Sequence, residues 1–222
     1  MLLRELLSGI EILDTNMDLN TEVSGISYDS RKTEPGDLFV AISGFETDGH
    51  KYIPSALSRG AAAVLCEILP EEEFPFIRVP DCRAALATAR VNYFQNPAEK
   101  LIMIGITGTN GKTTSSYIIK HILETCTGEK IGLIGTINNL IGDRTIPSDH
   151  TTPESYELQK LLAEMADSGC RYVVMEVSSH SLKLGRVAGI HFDVAAFTNL
   201  TQDHLDFHHT MEDYAASKKK LF

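Results

Sequence analysis

The chain has 222 residues, 43% of them apolar and 23% charged, and a formal net charge of −10. That length holds one large domain or two modest ones. The acidity argues against a general nucleic-acid or membrane-surface binder, while leaving room for a local basic pocket around a phosphorylated ligand. Trp is absent and aromatics make up 7%, so no base-stacking platform is advertised.

The start, Met1-Leu2-Leu3-Arg4-Glu5-Leu6-Leu7, is amphipathic and carries an acid, without a signal-peptide apolar region or cleavage site. Residues 2–8 predict a short helix. Thr21 to Tyr28 alternate as a strand, Glu34-Pro35-Gly36-Asp37 reads as a turn, and Leu38 to Ile42 as a buried strand. A polar loop from Gly44 to Gly49 precedes a helix over about His50 to Arg59. Ala61 to Cys66 and Phe76 to Val79 are further short strands, and Asp81 is placed to cap a helix running to about Phe94. Asn96-Pro97-Ala98-Glu99-Lys100 is polar and contains proline, and it marks the expected boundary between domains 1–99 and 100–222. Cys66, Cys82, Cys126 and Cys170 lie far apart without metal-ligand spacing, and read as reduced thiols of a cytoplasmic protein. No run of the sequence approaches transmembrane length.

The second half opens on Leu101-Ile102-Met103-Ile104-Gly105-Ile106-Thr107-Gly108-Thr109-Asn110-Gly111-Lys112-Thr113-Thr114: an apolar strand, a glycine-rich turn, then a helix start. Backbone N–H groups in such a turn converge on phosphate, and the helix N-terminus adds donors and a positive dipole end. Lys112 is placed to reach the β- and γ-phosphates and the Thr113 hydroxyl to bind Mg²⁺. The match to G-x-x-x-x-G-K-[ST] is imperfect: Ile106 stands at the first glycine position and Gly105 one residue early. A helix over 112–126, a strand from Lys130 to Ile134, a polar turn region over 138–153 and a helix over 154–168 follow. Strands are expected at Arg171 to Val177 and Phe192 to Phe197, and a last helix over 211–220. The alternation implies βαβ units in a mostly parallel sheet, with ligands beyond the carboxyl ends of the strands.

Glu176 ends its apolar strand beside that loop, where a carboxylate holds the metal that bridges phosphates. Six of the eight histidines fall between residues 150 and 209. Of these, His204 follows a strand end directly and suits a divalent metal. Ser178-Ser179-His180 lacks the G-x-S-x-G elbow and an evident acid partner, which argues against a serine hydrolase. On composition alone Lys218-Lys219-Lys220 reads as a solvated helix face.

Thr107-Gly-Thr-Asn-Gly-Lys-Thr-Thr114, Thr151-Thr-Pro-Glu154, Glu176-Val-Ser-Ser-His180 and Thr198-Asn-Leu-Thr-Gln-Asp-His-Leu-Asp-Phe-His208 together resemble the Mur ligases of peptidoglycan synthesis, specifically the tripeptide-forming branch. Tyr28-Asp-Ser-Arg31, Pro35-Gly-Asp-Leu-Phe-Val-Ala41 and Asp48-Gly-His-Lys-Tyr-Ile53 are similar to that branch's UDP-sugar domain. The resemblance implies a small α/β UDP-MurNAc-binding domain followed by an incomplete P-loop-type ATPase domain. It implies a reaction in which ATP phosphorylates a carboxylate of UDP-MurNAc-L-Ala-D-Glu and the amine of meso-diaminopimelate or L-lysine then displaces the phosphate. Thr107, Gly108, Thr109, Asn110, Gly111, Lys112, Thr113 and Thr114 would hold ATP. Thr113 and Glu176 would carry one Mg²⁺ and His204 a second. Ser30 with Phe45, Glu46 and Thr47 would meet the uridine end, and His150, Thr151, Thr152, Ser178 and Arg186 the muramyl-dipeptide end. Tyr214-Ala-Ala-Ser-Lys218 matches the family's setting for a carbamylated lysine, which makes Lys218 a metal ligand and, with Lys112 and His204, catalytic.

His150 stands where some members have Asn, and Leu184 where some have Gln. By the same resemblance the chain stops inside the central domain, without the third domain that selects the amine. The fragment alone is therefore expected to be inactive, and monomeric. Rivals beside this reading are another ligase such as MurF or a folylpolyglutamate-type synthetase, a non-catalytic UDP-sugar or nucleotide-binding module, and a simple P-loop NTPase switch.

Overall fold

The computed structural model describes residues 1–43, 48–69 and 73–222. The chain divides into two compact units, Met1–Gln95 and Asn96–Phe222. Residues 96–99 belong with the second unit, not the first as the proline-containing stretch suggested. Pro97 and Ala98 are buried in a short turn of helix over Pro97–Lys100, and Ala98 joins the second unit's core beside Leu101. A polar appearance concealed two apolar anchors.

In the first unit, chain order runs α1 (Leu3–Leu6), β1 (Asp14–Thr15), β2 (Gly25–Ser27), β3 (Asp37–Val40), α2 (Ile53–Ser58), β4 (Ala63–Cys66), β5 (Phe76–Arg78) and α3 (Cys82–Tyr93). The sheet order is β1-β5-β4-β3-β2, parallel from β2 to β5 with β1 antiparallel at one edge. Leu38–Val40 of β3 and the whole of β4 read as unbroken apolar runs because both faces are covered. Leu38, Val40, Ala63 and Leu65 point to the side of α1 and α3, where Leu3, Leu6, Leu86 and Ala89 lie. Phe39, Ala41, Val64 and Cys66 pack with Ile53 and Ala56 of α2. Helix α3 starts where the sequence predicted: the Asp81 carboxylate accepts from the N–H groups of Arg83 (2.8 Å) and Ala84 (2.9 Å). The expected strand over 21–28 shrinks to β2, and the expected helix over 50–59 opens as a tighter turn at Gly49–Tyr52.

The second unit runs β6 (Ile102–Thr107), α4 (Lys112–Thr127), β7 (Lys130–Ile134), β8 (Asn138–Ile141), β9 (Arg144–Pro147), α5 (Ser155–Asp167), β10 (Cys170–Glu176), α6 (Ser179–Lys183), β11 (Val194–Phe197), α7 (Leu205–His208) and α8 (Met211–Lys219). Its sheet has the order β11-β6-β10-β7-β8-β9, parallel across the first four strands. The polar turn region expected over 138–153 is instead in part a hairpin, β8 and β9, that extends the sheet antiparallel to β7. Its polar residues suit an edge ribbon, and only Asn139 and Ile141 face inward as buried residues. One face of the sheet packs on α5 through Met103, Met175, Leu158, Leu162 and Met165. The other packs on α4 through Ile104, Ile106, Val174, Ile119 and Leu123. This doubly covered, mainly parallel sheet is the α/β arrangement that alternating strands and helices imply.

Candidate active site

The carboxyl ends of β6, β7, β10 and β11 converge, and the chemistry-bearing residues leave from them. Between β6 and α4 the chain turns through Gly108 at φ +145° and Gly111 at φ +86°. A Cβ at Gly108 would collide with the Thr198 hydroxyl and stand 3.1 Å from both the N and O of Asn199. Only glycine lets these backbones meet. Gly105, which upset the P-loop match, answers to packing: a Cβ there would lie 2.7 Å from the Phe192 ring, while Ile106 is a core residue of β6. The phosphate-loop-like turn therefore begins at Thr107, whose hydroxyl is buried without a partner.

The residues after β11 brace this turn. Asn199 donates through Nδ2 to the Asn110 carbonyl (3.0 Å) and accepts from the Asn110 N–H (3.0 Å). The Thr198 hydroxyl donates to the same carbonyl at 2.7 Å. The Thr109 hydroxyl accepts from the Thr201 N–H (3.0 Å) and lies 3.1 Å from the Tyr214 hydroxyl. Helix α4 then starts at Lys112 with no side chain capping it. Its first N–H groups and its positive dipole end are left for an anion.

Lys112 folds back over the turn, donating to the carbonyls of Gly108 and Thr109, each at 2.9 Å. Lys218 reaches the same Gly108 carbonyl at 2.8 Å. It is 2% exposed, whereas Lys219 and Lys220 are exposed, so the solvated-face reading holds only for the latter two. Burial first, and then the neighbouring Lys112 cation, bring the Lys218 ammonium down to about 8. Burial lowers Lys112 as well.

Glu176, wholly buried at the end of β10, accepts from the Thr113 hydroxyl (2.9 Å), the Thr136 hydroxyl (3.1 Å) and the Thr136 N–H (3.1 Å). Thr113 and Glu176 are thus brought together at the head of α4. A hydroxyl and a carboxylate there form the start of an oxygen donor set suited to Mg²⁺. His204 lies apart from that pair in its contacts. It is exposed, at φ +53°, and its ring stands 4.9 Å from His180 and 6.1 Å from Tyr214. Among the described residues no group of three His, Cys, Asp or Glu side chains is assembled to hold a metal.

Thr152 is buried and doubly used: its hydroxyl donates to the Glu176 carbonyl (2.8 Å) and accepts from the Ser178 N–H (3.1 Å). The Thr151 hydroxyl lies 3.0 Å from that of Thr136. Arg186 contacts the Thr152 carbonyl (3.3 Å) and pairs with Glu154 (2.5 Å), leaving its Nε buried without a partner. Ser178 caps α6 by accepting from the Ser181 N–H at 3.1 Å. His150 is exposed and directly precedes these threonines in the chain. Ser30 is buried in the first unit, and Phe45, Glu46 and Thr47 lie outside the described residues.

Sequence reasoning missed Thr136, the bracing roles of Thr198 and Asn199, and a buried array around Ser179. The imidazole that reaches Ser179 is His208 (Nε2 to Oγ, 2.9 Å), not the adjacent His180, and Asp213 supplies the acid partner that the sequence did not reveal (3.2 Å from Nδ1). Ser179 is 1% exposed, so this triad-like order has no face open to a substrate.

Comparison with known proteins accounts for the arrangement. Residues 106–222 match the Mur ligase middle domain, and residues 22–95 match the Mur ligase family, catalytic domain. The chain belongs to the Mur ligase family. Its relatives include the UDP-N-acetylmuramoyl-L-alanyl-D-glutamate--2,6-diaminopimelate ligase of Caldanaerobacter subterraneus subsp. tengcongensis, 54% identical over 206 residues, covering 91% of this chain and 42% of that protein. The Clostridium tetani protein of the same name is 52% identical, covering 100% of this chain and 47% of its own length. A solved structure of a ligase with that name superposes with a TM-score of 0.81 at 32% identity, over 100% of this chain and 44% of the other. MurF from Thermotoga maritima in complex with ADP is similar at a TM-score of 0.56 and 25% identity, covering 92% of this chain and 44% of its own. This Mur ligase chain therefore spans less than half the length of the curated relatives it matches.

Proposed function

We propose that this chain is the nucleotide- and UDP-sugar-binding half of an ATP-dependent ligase that joins 2,6-diaminopimelate to UDP-MurNAc-L-Ala-D-Glu in the cytoplasm. The observation that carries this reading is the uncapped head of α4 behind a glycine turn, with the Thr113 hydroxyl 2.9 Å from the buried Glu176. The relatives' names supply the substrates, and the family membership supplies the reaction class.

In this reading residues 107–114 hold ATP, and the N–H groups of the turn and of α4 face its phosphates. Lys112 exchanges its two carbonyl partners for phosphate oxygens and neutralises charge that develops there. Thr113, Glu176, His204 and a carbamylated Lys218 hold Mg²⁺, which when bound offsets the charge of two anionic substrates brought together. The lowered Lys218 pKa favours that modification. The neutral amine forms an N–C bond to CO₂ and releases a proton, which converts a cation into a carboxylate-like anion. Ser30 with residues 45–47 meets the uridine end, while Thr151, Ser178, Arg186 and His150 meet the muramyl dipeptide. Thr152 holds Ser178 and the end of β10 in register. A substrate carboxylate then attacks the γ-phosphorus and ADP leaves. The amine adds to the acyl phosphate, phosphate departs, and an amide remains.

The test is phosphate release by the complete gene product with ATP, Mg²⁺ and UDP-MurNAc-L-Ala-D-Glu, adding meso-diaminopimelate or L-lysine separately. Turnover that requires diaminopimelate is expected. Loss of rate in Lys218→Ala, restored by a short carboxylic acid, supports the carbamate. Well-folded protein that binds UDP-MurNAc-dipeptide without amine-dependent turnover would replace the ligase with a non-catalytic binding module.

A further inference from the structure

Helix α7 is a single turn set between two residues in the left-handed region, His204 at φ +53° and His209 at φ +63°. Neither is glycine, and such conformations persist only where the surroundings impose them. The turn carries His204 at its head, and the His204 carbonyl accepts from the N–H groups of Phe207 (3.2 Å) and His208 (3.0 Å). Something must hold it in place.

The holding group is the His208 side chain, 1% exposed. Asp213, at the start of α8, only accepts hydrogen bonds as a carboxylate. Nδ1 therefore carries the ring proton and donates to it (3.2 Å), and Nε2 accepts from the Ser179 hydroxyl of α6 (2.9 Å). The Ser217 hydroxyl lies 3.4 Å from Nδ1, one residue before Lys218. Asp213 also accepts from Lys183 of α6 (2.5 Å), which closes the circuit between α6 and α8. The ring of His208 stands 5.1 Å from that of Tyr214, whose hydroxyl meets Thr109 in the glycine turn. One imidazole thus ties together the elements that carry Ser178, His204 and Lys218.

We propose that His208 is a positioning residue, which pins α7 between α6 and α8 so that Lys218 keeps its place against the glycine turn and His204 its place beside His180 and Tyr214. It touches no substrate and no reacting atom. The inference rests on the reading of His204 and Lys218 as metal ligands. A neutral histidine suits the task because it satisfies one acceptor and one donor on opposite sides of a buried ring, which no aliphatic residue of that size does. Partners that orient ligands in this way are worth about 10–100-fold in metal affinity or activity.

The test uses the complete gene product and two readouts, the affinity for Mg²⁺ in the presence of ADP by calorimetry and the Mg²⁺ concentration giving half-maximal ligation. His208→Ala should raise that concentration about tenfold and lower kcat by about 10–100-fold. KM for UDP-MurNAc-dipeptide should change less than the Mg²⁺ requirement does, since Ser178 keeps its own bonds to Thr152 and Ser181. His208→Gln, which keeps a polar group toward Ser179, should recover part of the loss. If His208→Ala does not fold, Ser179→Ala removes one bond and Asp213→Asn removes the charge that His208 and Lys183 share, each with little change of volume, and both should raise the Mg²⁺ requirement. His204→Ala and Lys218→Ala separate the layers. If they raise the Mg²⁺ requirement and folded His208, Ser179 and Asp213 variants do not, the positioning role is overturned while the ligand reading stands. If His204→Ala and Lys218→Ala leave it unchanged, the ligand reading fails and this inference falls with it.

Discussion

Gly135 follows β7 and is the residue on which the Glu176 carboxylate depends for space. Its φ is not positive, so an alanine meets no backbone objection, and the conflict is purely one of volume. A Cβ at this position would overlap Glu176 Oε1 and lie 3.1 Å from Cδ and 3.4 Å from Cγ. The carboxylate would have to swing away from the three donors that Thr113 and Thr136 present to it. Hydrogen bonds to a charged group are worth about 1.5–3 kcal/mol each, so losing two of them costs about 3 kcal/mol. Restricting the unfolded chain by Gly→Ala returns about 0.4–1 kcal/mol. The expected net loss is about 2 kcal/mol in urea denaturation, confined to the second unit. Because Glu176 and Thr113 are also the proposed metal donors, calorimetric titration with Mg²⁺ and ADP should show binding weakened at least about tenfold. Glu176→Gln is the comparison, since it keeps the volume and removes the charge. A Gly135→Ala protein of wild-type stability that binds Mg²⁺ and ADP within about twofold would refute both the packing argument and the placement of the metal.

Gly108→Ala drives a Cβ into Thr198 and Asn199 at a φ of +145°, so binding of ADP should be lost while circular dichroism still reports the α/β fold. Asp81→Ala removes the carboxylate that serves two N–H groups at the start of α3, and denaturant unfolding of the first unit should show a loss of about 1 kcal/mol. Lys218 makes stability depend on pH. With a folded value of about 8 against 10.5 for a free lysine, the unfolded chain binds more protons between those pH values, so stability rises with pH across that window. From pH 7.5 to 9.5 the gain is about 2 kcal/mol. Lys218→Met should remove this increment, as read by paired urea denaturations at the two pH values; an equal rise in the variant would show that Lys218 is not its source.

The local signals that the sequence carried were the ones whose physics is local. Asp81 before an apolar-periodic run defines a helix start because the cap needs only its own next few N–H groups. The apolar run Ile102–Thr107, the turn with Gly108 and Gly111, and Lys112 opening a helix are legible for the same reason, as is Glu176 at the end of its strand. Polarity was a poorer guide wherever burial depends on partners distant in the chain. Asn96–Lys100 looks like a linker yet buries Pro97 and Ala98, and residues 138–147 look like loop yet pair as strands because β7 offers an edge. The lysine run shows the same limit: composition makes its three members equivalent, and only the packing of α8 puts Lys218 inside against Gly108 while leaving Lys219 and Lys220 in water. Most of all, sequence spacing cannot bring Ser179, His208 and Asp213 to one point, nor set Thr198 and Asn199 against the turn 88 to 91 residues earlier. Those meetings are produced by the parallel order β11-β6-β10-β7, which gathers the strand ends that a linear reading keeps apart.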